Sequence, residues 1–181
     1  FDRLNARFGG GFVLAVRPRL FSATQRAYAG MERKRGALLQ LSAWLCEGKE
    51  EPFCLLYGDT KGLRDTRYIC TLDSDTTLTF GSLPRLCAVA MHPLNAPRTD
   101  STHTKVISGY AAFVPAAHTA LQNEKTGLFS LLMTDGGGSG AYSAGVSERN
   151  MDVFGQSIFT GKGLLDVRVF YDLCADRFPP Q

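Results

Sequence analysis

From Arg67 to Thr76 the chain runs Arg-Tyr-Ile-Cys-Thr-Leu-Asp-Ser-Asp-Thr, an apolar, strand-prone stretch ending in two carboxylates one residue apart. No other stretch limits the fold as much. Ile69 and Leu72 within it predict a buried strand. Open α/β sheets place their ligand sites just past the carboxyl ends of such strands. Asp73 and Asp75 would share one side of an extended segment, because side chains alternate along a strand. Two negative charges there need solvent or a cation. Carboxylate oxygens suit the hard cations Mg²⁺ and Mn²⁺, which also bind phosphate oxygens. The competing reading is a polar turn in which Asp73 or Ser74 caps the next helix.

Upstream, Ser22-Ala23-Thr24-Gln25 has the spacing of a capping box. Tyr28, Met31, Leu38, Leu41 and Leu45 follow at helical intervals. A helix is therefore expected from Ser22, with Gly36 either costing about 1 kcal/mol within it or splitting it near Ala37. Lys34 and Arg35 flank Gly36 away from that stripe, in a local basic cluster with Arg33, Arg17, Arg19 and Arg26. As a bare charge run it reads as a solvated face.

Elsewhere, Gly9-Gly10-Gly11 leads into the apolar run Phe12 to Val16, read as a turn and a strand. The glycines lack the Lys-Ser/Thr of a phosphate loop. Phe53 to Tyr57 predicts another strand. Leu83 to Met91 predicts a helix closed by His92-Pro93. Asn95 to Thr104 reads as a polar loop, Lys105 to Val114 as a strand, and Thr119 to Met133 as a helix. Thr134 to Gly145, rich in glycine and serine, reads as a mobile loop beside a site. Alternating short apolar runs and helical segments predict an α/β domain with a mostly parallel sheet.

The 181 residues suffice for one domain or a large piece of one. A formal charge of +3 gives no reason to expect nucleic acid as a partner. Five irregularly spaced cysteines with no Cys-x-x-Cys favour neither a disulfide framework nor a zinc site, and point to a reducing compartment. No run approaches the roughly 18 apolar residues of a membrane span, and no signal peptide opens the chain. A first residue other than Met, and an end at Phe178-Pro179-Pro180-Gln181, are what a piece of something longer would show.

Two enzyme classes place paired acids at a strand end. Nucleotide-sugar transferases use the metal they hold to neutralise a departing diphosphate. Haloacid-dehalogenase-like phosphatases use the first acid, here Asp73, as the nucleophile. A non-catalytic glucan-binding module is a third reading.

Taken together, Glu32-Arg33-Lys34-Arg35-Gly36-Ala37-Leu38, Thr71-Leu72-Asp73-Ser74-Asp75-Thr76, His92-Pro93-Leu94-Asn95, Tyr142-Ser143-Ala144-Gly145-Val146-Ser147 and Phe159-Thr160-Gly161-Lys162-Gly163-Leu164-Leu165-Asp166-Val167 resemble the glycosyltransferase domain (family 84) of cyclic β-1,2-glucan synthases. That domain is related to the processive GT-A transferases, cellulose synthase among them. The resemblance implies that residues 1–181 are a fragment of one such domain, incomplete at both ends. Its fold would be GT-A-like (Rossmann-like), a mostly parallel sheet flanked by helices. The implied reaction is inverting transfer of glucose from UDP-glucose to a growing β-1,2-glucan, with Mg²⁺ or Mn²⁺. It would take place at the cytoplasmic face of the inner membrane, within a larger membrane-embedded synthase. Lys34, Arg35, Gly36 and Asp73 would bind the nucleotide sugar, with Asp75 and Asp73 on the metal. Thr160, Gly161, Lys162 and Gly163 would form a loop at the donor–acceptor junction. Inverting transfer needs a general base, which the resemblance places beyond Gln181, so this fragment alone is expected to be inactive. Asp166 and Asp172 are substitutes by residue type only.

Overall fold

The computed structural model describes residues 1–23, 26–74, 76–115, 153, 159, 161–175 and 177. At its centre is a three-stranded sheet in the order β5-β9-β8: β5 is Tyr68–Thr71, β9 Gly163–Asp166 and β8 Ala112–Phe113. β9 is buried at all four positions, as its Gly-Leu-Leu-Asp sequence requires of a central strand covered on both faces.

Side-chain alternation along β5 assigns its two faces. Ile69 packs into a cluster built on Trp44, Leu45 and Val167, together with Leu41, Phe53 and Leu56. Tyr68 and Cys70 pack into a second cluster around Ala90, Phe113 and Leu164. The first face is covered by α2 (Arg33–Glu47) and α4 (Val167–Cys174), the second by α3 (Ser82–Met91). The molecule is thus mixed α/β, with helices on both faces of its central sheet. Three small antiparallel pairs lie outside it. β1 (Leu14–Val16) pairs with β4 (Leu55–Tyr57), β2 (Leu20–Ser22) with β3 (Ala27–Ala29), and β6 (Arg98–Thr99) with β7 (Val106–Ser108). The first helix, α1 (Asp2–Phe8), buries none of its residues; Tyr57 Oη donates to Asp2. No helix among the described residues is long and apolar enough to cross a membrane.

The expected mostly parallel sheet is not seen among the described residues, where every strand pairing is antiparallel. A parallel pair needs a crossover that returns the chain in the same sense. Between β1 and β4 the chain makes the β2–β3 hairpin as well as α2, and it comes back reversed.

The helix expected from Ser22 starts at Arg33 instead. Ser22 ends β2, where Phe21 and Tyr28 face each other across the hairpin with ring centroids 5.4 Å apart. Tyr28 therefore belongs to a cross-strand aromatic pair, and only the later part of the apolar stripe, Leu41 and Leu45, faces the core. Gly36 does not split the helix. It is buried in the first turn, where a Cβ would lie 2.2 Å from the Met31 carbonyl oxygen and 3.0 Å from Arg17 Nη2. Glycine stands there because residues 31–32 cross directly over it.

The predicted α3 and its end at His92 match. The predicted strand from Lys105 to Val114 is divided into β7 and β8, with the Tyr110 N–H donating to the Asn95 carbonyl at 3.0 Å between them. The predicted 119–133 helix, the 134–145 loop and the Tyr142 to Ser147 stretch lie outside the described residues.

Candidate functional site

β5 ends at Thr71, and Asp73 follows two residues later. The Thr76 N–H donates back to the Asp73 carbonyl at 3.0 Å. Asp73 does not cap the next helix, and neither does Ser74, because α3 begins at Ser82 with Gly81 at its N-cap. The polar-turn alternative therefore loses its capping role, and the carboxylate is turned to other partners. Lys34 Nζ lies 2.6 Å from Asp73 Oδ1 and Lys162 Nζ 3.4 Å from Oδ2.

Each partner arrives by a distinct route. Lys34 is in the first turn of α2, and that helix end is fixed by Arg17 from the segment after β1. The Arg17 guanidinium donates to the Arg33 carbonyl at 2.9 Å, to the Met31 carbonyl and to Gln40. Partial burial pushes the Arg17 pKa down. Lys162 comes from the segment before β9. In the antiparallel register Thr71 is opposite Gly163, so one step further along each strand carries Lys162 to Leu72. The reversed strand sense, unexpected from sequence, is what brings residues 161–163 to the acid. Gly163 is itself forced: its φ is +146°, and a Cβ would stand 2.3 Å from the Phe113 carbonyl oxygen. The Thr71 hydroxyl lies 3.1 Å from the Gly161 carbonyl and 3.3 Å from that of Gly163.

The resulting cluster has two ammonium groups around one carboxylate. The hydrogen bond from Lys34, then that from Lys162, holds the Asp73 carboxyl below the usual carboxylate range. The side chains of Lys34, Asp73 and Lys162 are 38%, 41% and 34% exposed. These pairs are therefore solvent-screened and contribute little to stability, while remaining open to a ligand. A surplus positive charge at a strand end, beside the N-terminus of a fifteen-residue helix, suits a polyanion.

The structure brings together Lys34, Asp73, Gly161, Lys162 and Gly163. Arg35 Nε lies 2.9 Å from Glu32 Oε2. Gly36 serves chain packing, and Asp75 and Thr160 lie outside the described residues. Among the described residues no group of three or more His, Cys, Asp or Glu could hold a metal ion. Mg²⁺ carried on phosphate oxygens uses one or two carboxylates, and Asp73 is the carboxylate that the described part of this cluster offers.

The two substitute acids are engaged in structure. Asp166 is 5% exposed and caps α4, with Oδ1 accepting from the Val169 N–H at 3.1 Å and Arg67 at 3.7 Å from Oδ2. Asp172 faces Arg168 at 3.4 Å. His92 and Asn95 also have local roles: His92 Nδ1 accepts from the Leu94 N–H, and Asn95 Nδ2 donates to the Val89 carbonyl. Sequence reasoning missed the parts played by Thr71 and Arg17. Alternation along β5 places Thr71 on the same face as Asp73, but nothing in the sequence names a hydroxyl's partner.

No protein-family model matches the chain. Over 160 residues, 88% of its length, it is 32% identical to the cyclic β-(1,2)-glucan synthase NdvB of Rhizobium meliloti (strain 1021). The chain is related to that synthase and spans 6% of its length.

Proposed function

We propose that the Lys34–Asp73–Lys162 cluster is the nucleotide-diphosphate half of a glucosyl-transfer site. The site would work within a larger membrane-associated synthase that transfers glucose from UDP-glucose to a β-1,2-glucan with inversion. One observation carries this reading: Lys34 and Lys162, from segments far apart in sequence, converge on the single carboxylate of Asp73. The relation to a glucan synthase supports the transferase class and the sugar partners. The GT-A-like fold is part of the proposal, with the described antiparallel strands as only a portion of the complete sheet.

In this reading Lys34 and Lys162 exchange their hold on Asp73 for the donor's diphosphate oxygens. Two ammonium groups beside the leaving diphosphate stabilise the charge that develops as the glycosidic bond breaks. A divalent cation, Mg²⁺ or Mn²⁺, held by Asp73 and Asp75, would supply Lewis-acid stabilisation of the same leaving group. Proton removal from the acceptor hydroxyl is assigned to a carboxylate outside the described residues, because Asp166 and Asp172 are committed to α4.

The phosphatase alternative draws no support from the relation to a glucan synthase. Calorimetry with UDP and Mn²⁺ tests the proposal. Binding should require the metal and be lost in Asp75→Ala. Binding indifferent to both metal and Asp75, or no binding at all, removes it.

A further inference from the structure

We propose that Thr71 is a positioning residue whose hydroxyl fixes the backbone on both sides of Lys162, aiming that lysine at Asp73. Thr71 is 5% exposed, and its Oγ1 lies 3.1 Å from the Gly161 carbonyl oxygen and 3.3 Å from that of Gly163. The single hydroxyl proton is shared between two acceptors that bracket Lys162. Gly161 and Gly163 have φ of +84° and +146°. The lysine is thus carried between Gly163, which β9 pairing holds, and Gly161, which brings no side chain to hold the segment. Thr71 is held at a buried strand position, so its hydroxyl is a fixed anchor for the Gly161 side of the segment. Lys34 needs no such device, because its helix and Arg17 hold it. Thr71 therefore acts on one of the two lysines and not on the other, which separates a positioning role from general support of the fold.

The ligand part of this inference rests on the proposed nucleotide site; the positioning part does not. Amine-labelling rates of Lys162 and Lys34, measured residue by residue by mass spectrometry on the 181-residue chain, read the positioning directly. In Thr71→Val, which keeps shape and removes the hydroxyl, Lys162 should label about two- to fivefold faster, the range of one exposed ion pair. Lys34 should keep its wild-type rate, and Thr71→Ser should restore Lys162. Equal acceleration at both lysines, or none at Lys162, overturns the proposal. If Thr71→Val fails to fold, Thr71→Ser decides alone: a Lys162 rate above wild type overturns it.

A second arm uses UDP and Mn²⁺ as probes. Thr71→Val should weaken binding roughly tenfold in the wild-type background and have no effect in Lys162→Met. A full loss repeated in Lys162→Met overturns the proposal. A wild-type chain that ignores UDP overturns the proposed function instead, and the labelling result stands by itself.

Discussion

Gly36 and Lys34, two residues apart, show how differently a short motif can be used. Lys34 reaches 2.6 Å from Asp73, whereas Gly36 faces the chain that crosses above it. Replacing Gly36 with Ala puts a methyl carbon against a backbone oxygen, which cannot rotate away as a side chain could. The cost should be about 1–3 kcal/mol, as for other overpacked sites, read as a lowered denaturation midpoint with UDP binding weakened because Lys34 shifts with its helix turn. Wild-type stability in Gly36→Ala would remove this account. Beyond Asp73, the residues that meet in this cluster are singled out from sequence only through the resemblance; the bare basic run reads as a solvated face. Their mutual distances were not legible. The Asp73 carboxylate has one partner 39 positions earlier in the chain and another much further along it, and only pairing of the strands relates them.

At the level of elements, α3 and β5 were legible because their apolar patterns are long or sharply bounded. The segment from Ser22 to Gly30 was not: a capping-box spacing and a helical interval happened to fall on residues that pair as β2 and β3. Cross-strand contact between Phe21 and Tyr28 outweighed local preference there. β6 lies in the stretch read as a loop and β7 in the predicted strand after it, and the turn between them is organised by one side chain. Asp100 accepts from Thr102 Oγ1 at 2.6 Å, Thr104 N at 2.6 Å, Thr104 Oγ1 at 2.7 Å and Lys105 N at 3.0 Å. Arg177 adds a bond to the Thr104 carbonyl at 2.8 Å. These donors, Thr102 first, hold the Asp100 carboxyl well below the usual carboxylate range. A depressed folded-state pKa means the turn is stabilised above the unfolded carboxylate range and loses that support as pH falls through the folded value. Asp100→Ala should speed exchange of the Thr104 and Lys105 amides by roughly tenfold at neutral pH. In the wild type, mild acid should leave those amides protected; equal protection in both proteins would count against the turn's dependence on Asp100.

For the whole molecule, the α/β class was readable, and the strand directions and the convergence on Asp73 were not. Apolar runs separated by helices look alike whether the chain returns parallel or reversed. The reversed pairing of β5 with β9 also orders events in time. Lys34 and Asp73 are 39 positions apart, while Thr71 and Gly163 are separated by 92. Contacts that close longer loops are reached later, since their entropy is lost before any contact repays it. During refolding, the helical signal and Lys34's resistance to amine reagent should appear first, with Lys162's resistance following as β9 docks. Simultaneous recovery of both lysines would contradict that order. The strand that completes the cluster's charge is also the central strand of the sheet, so the site and the core are finished in the same step.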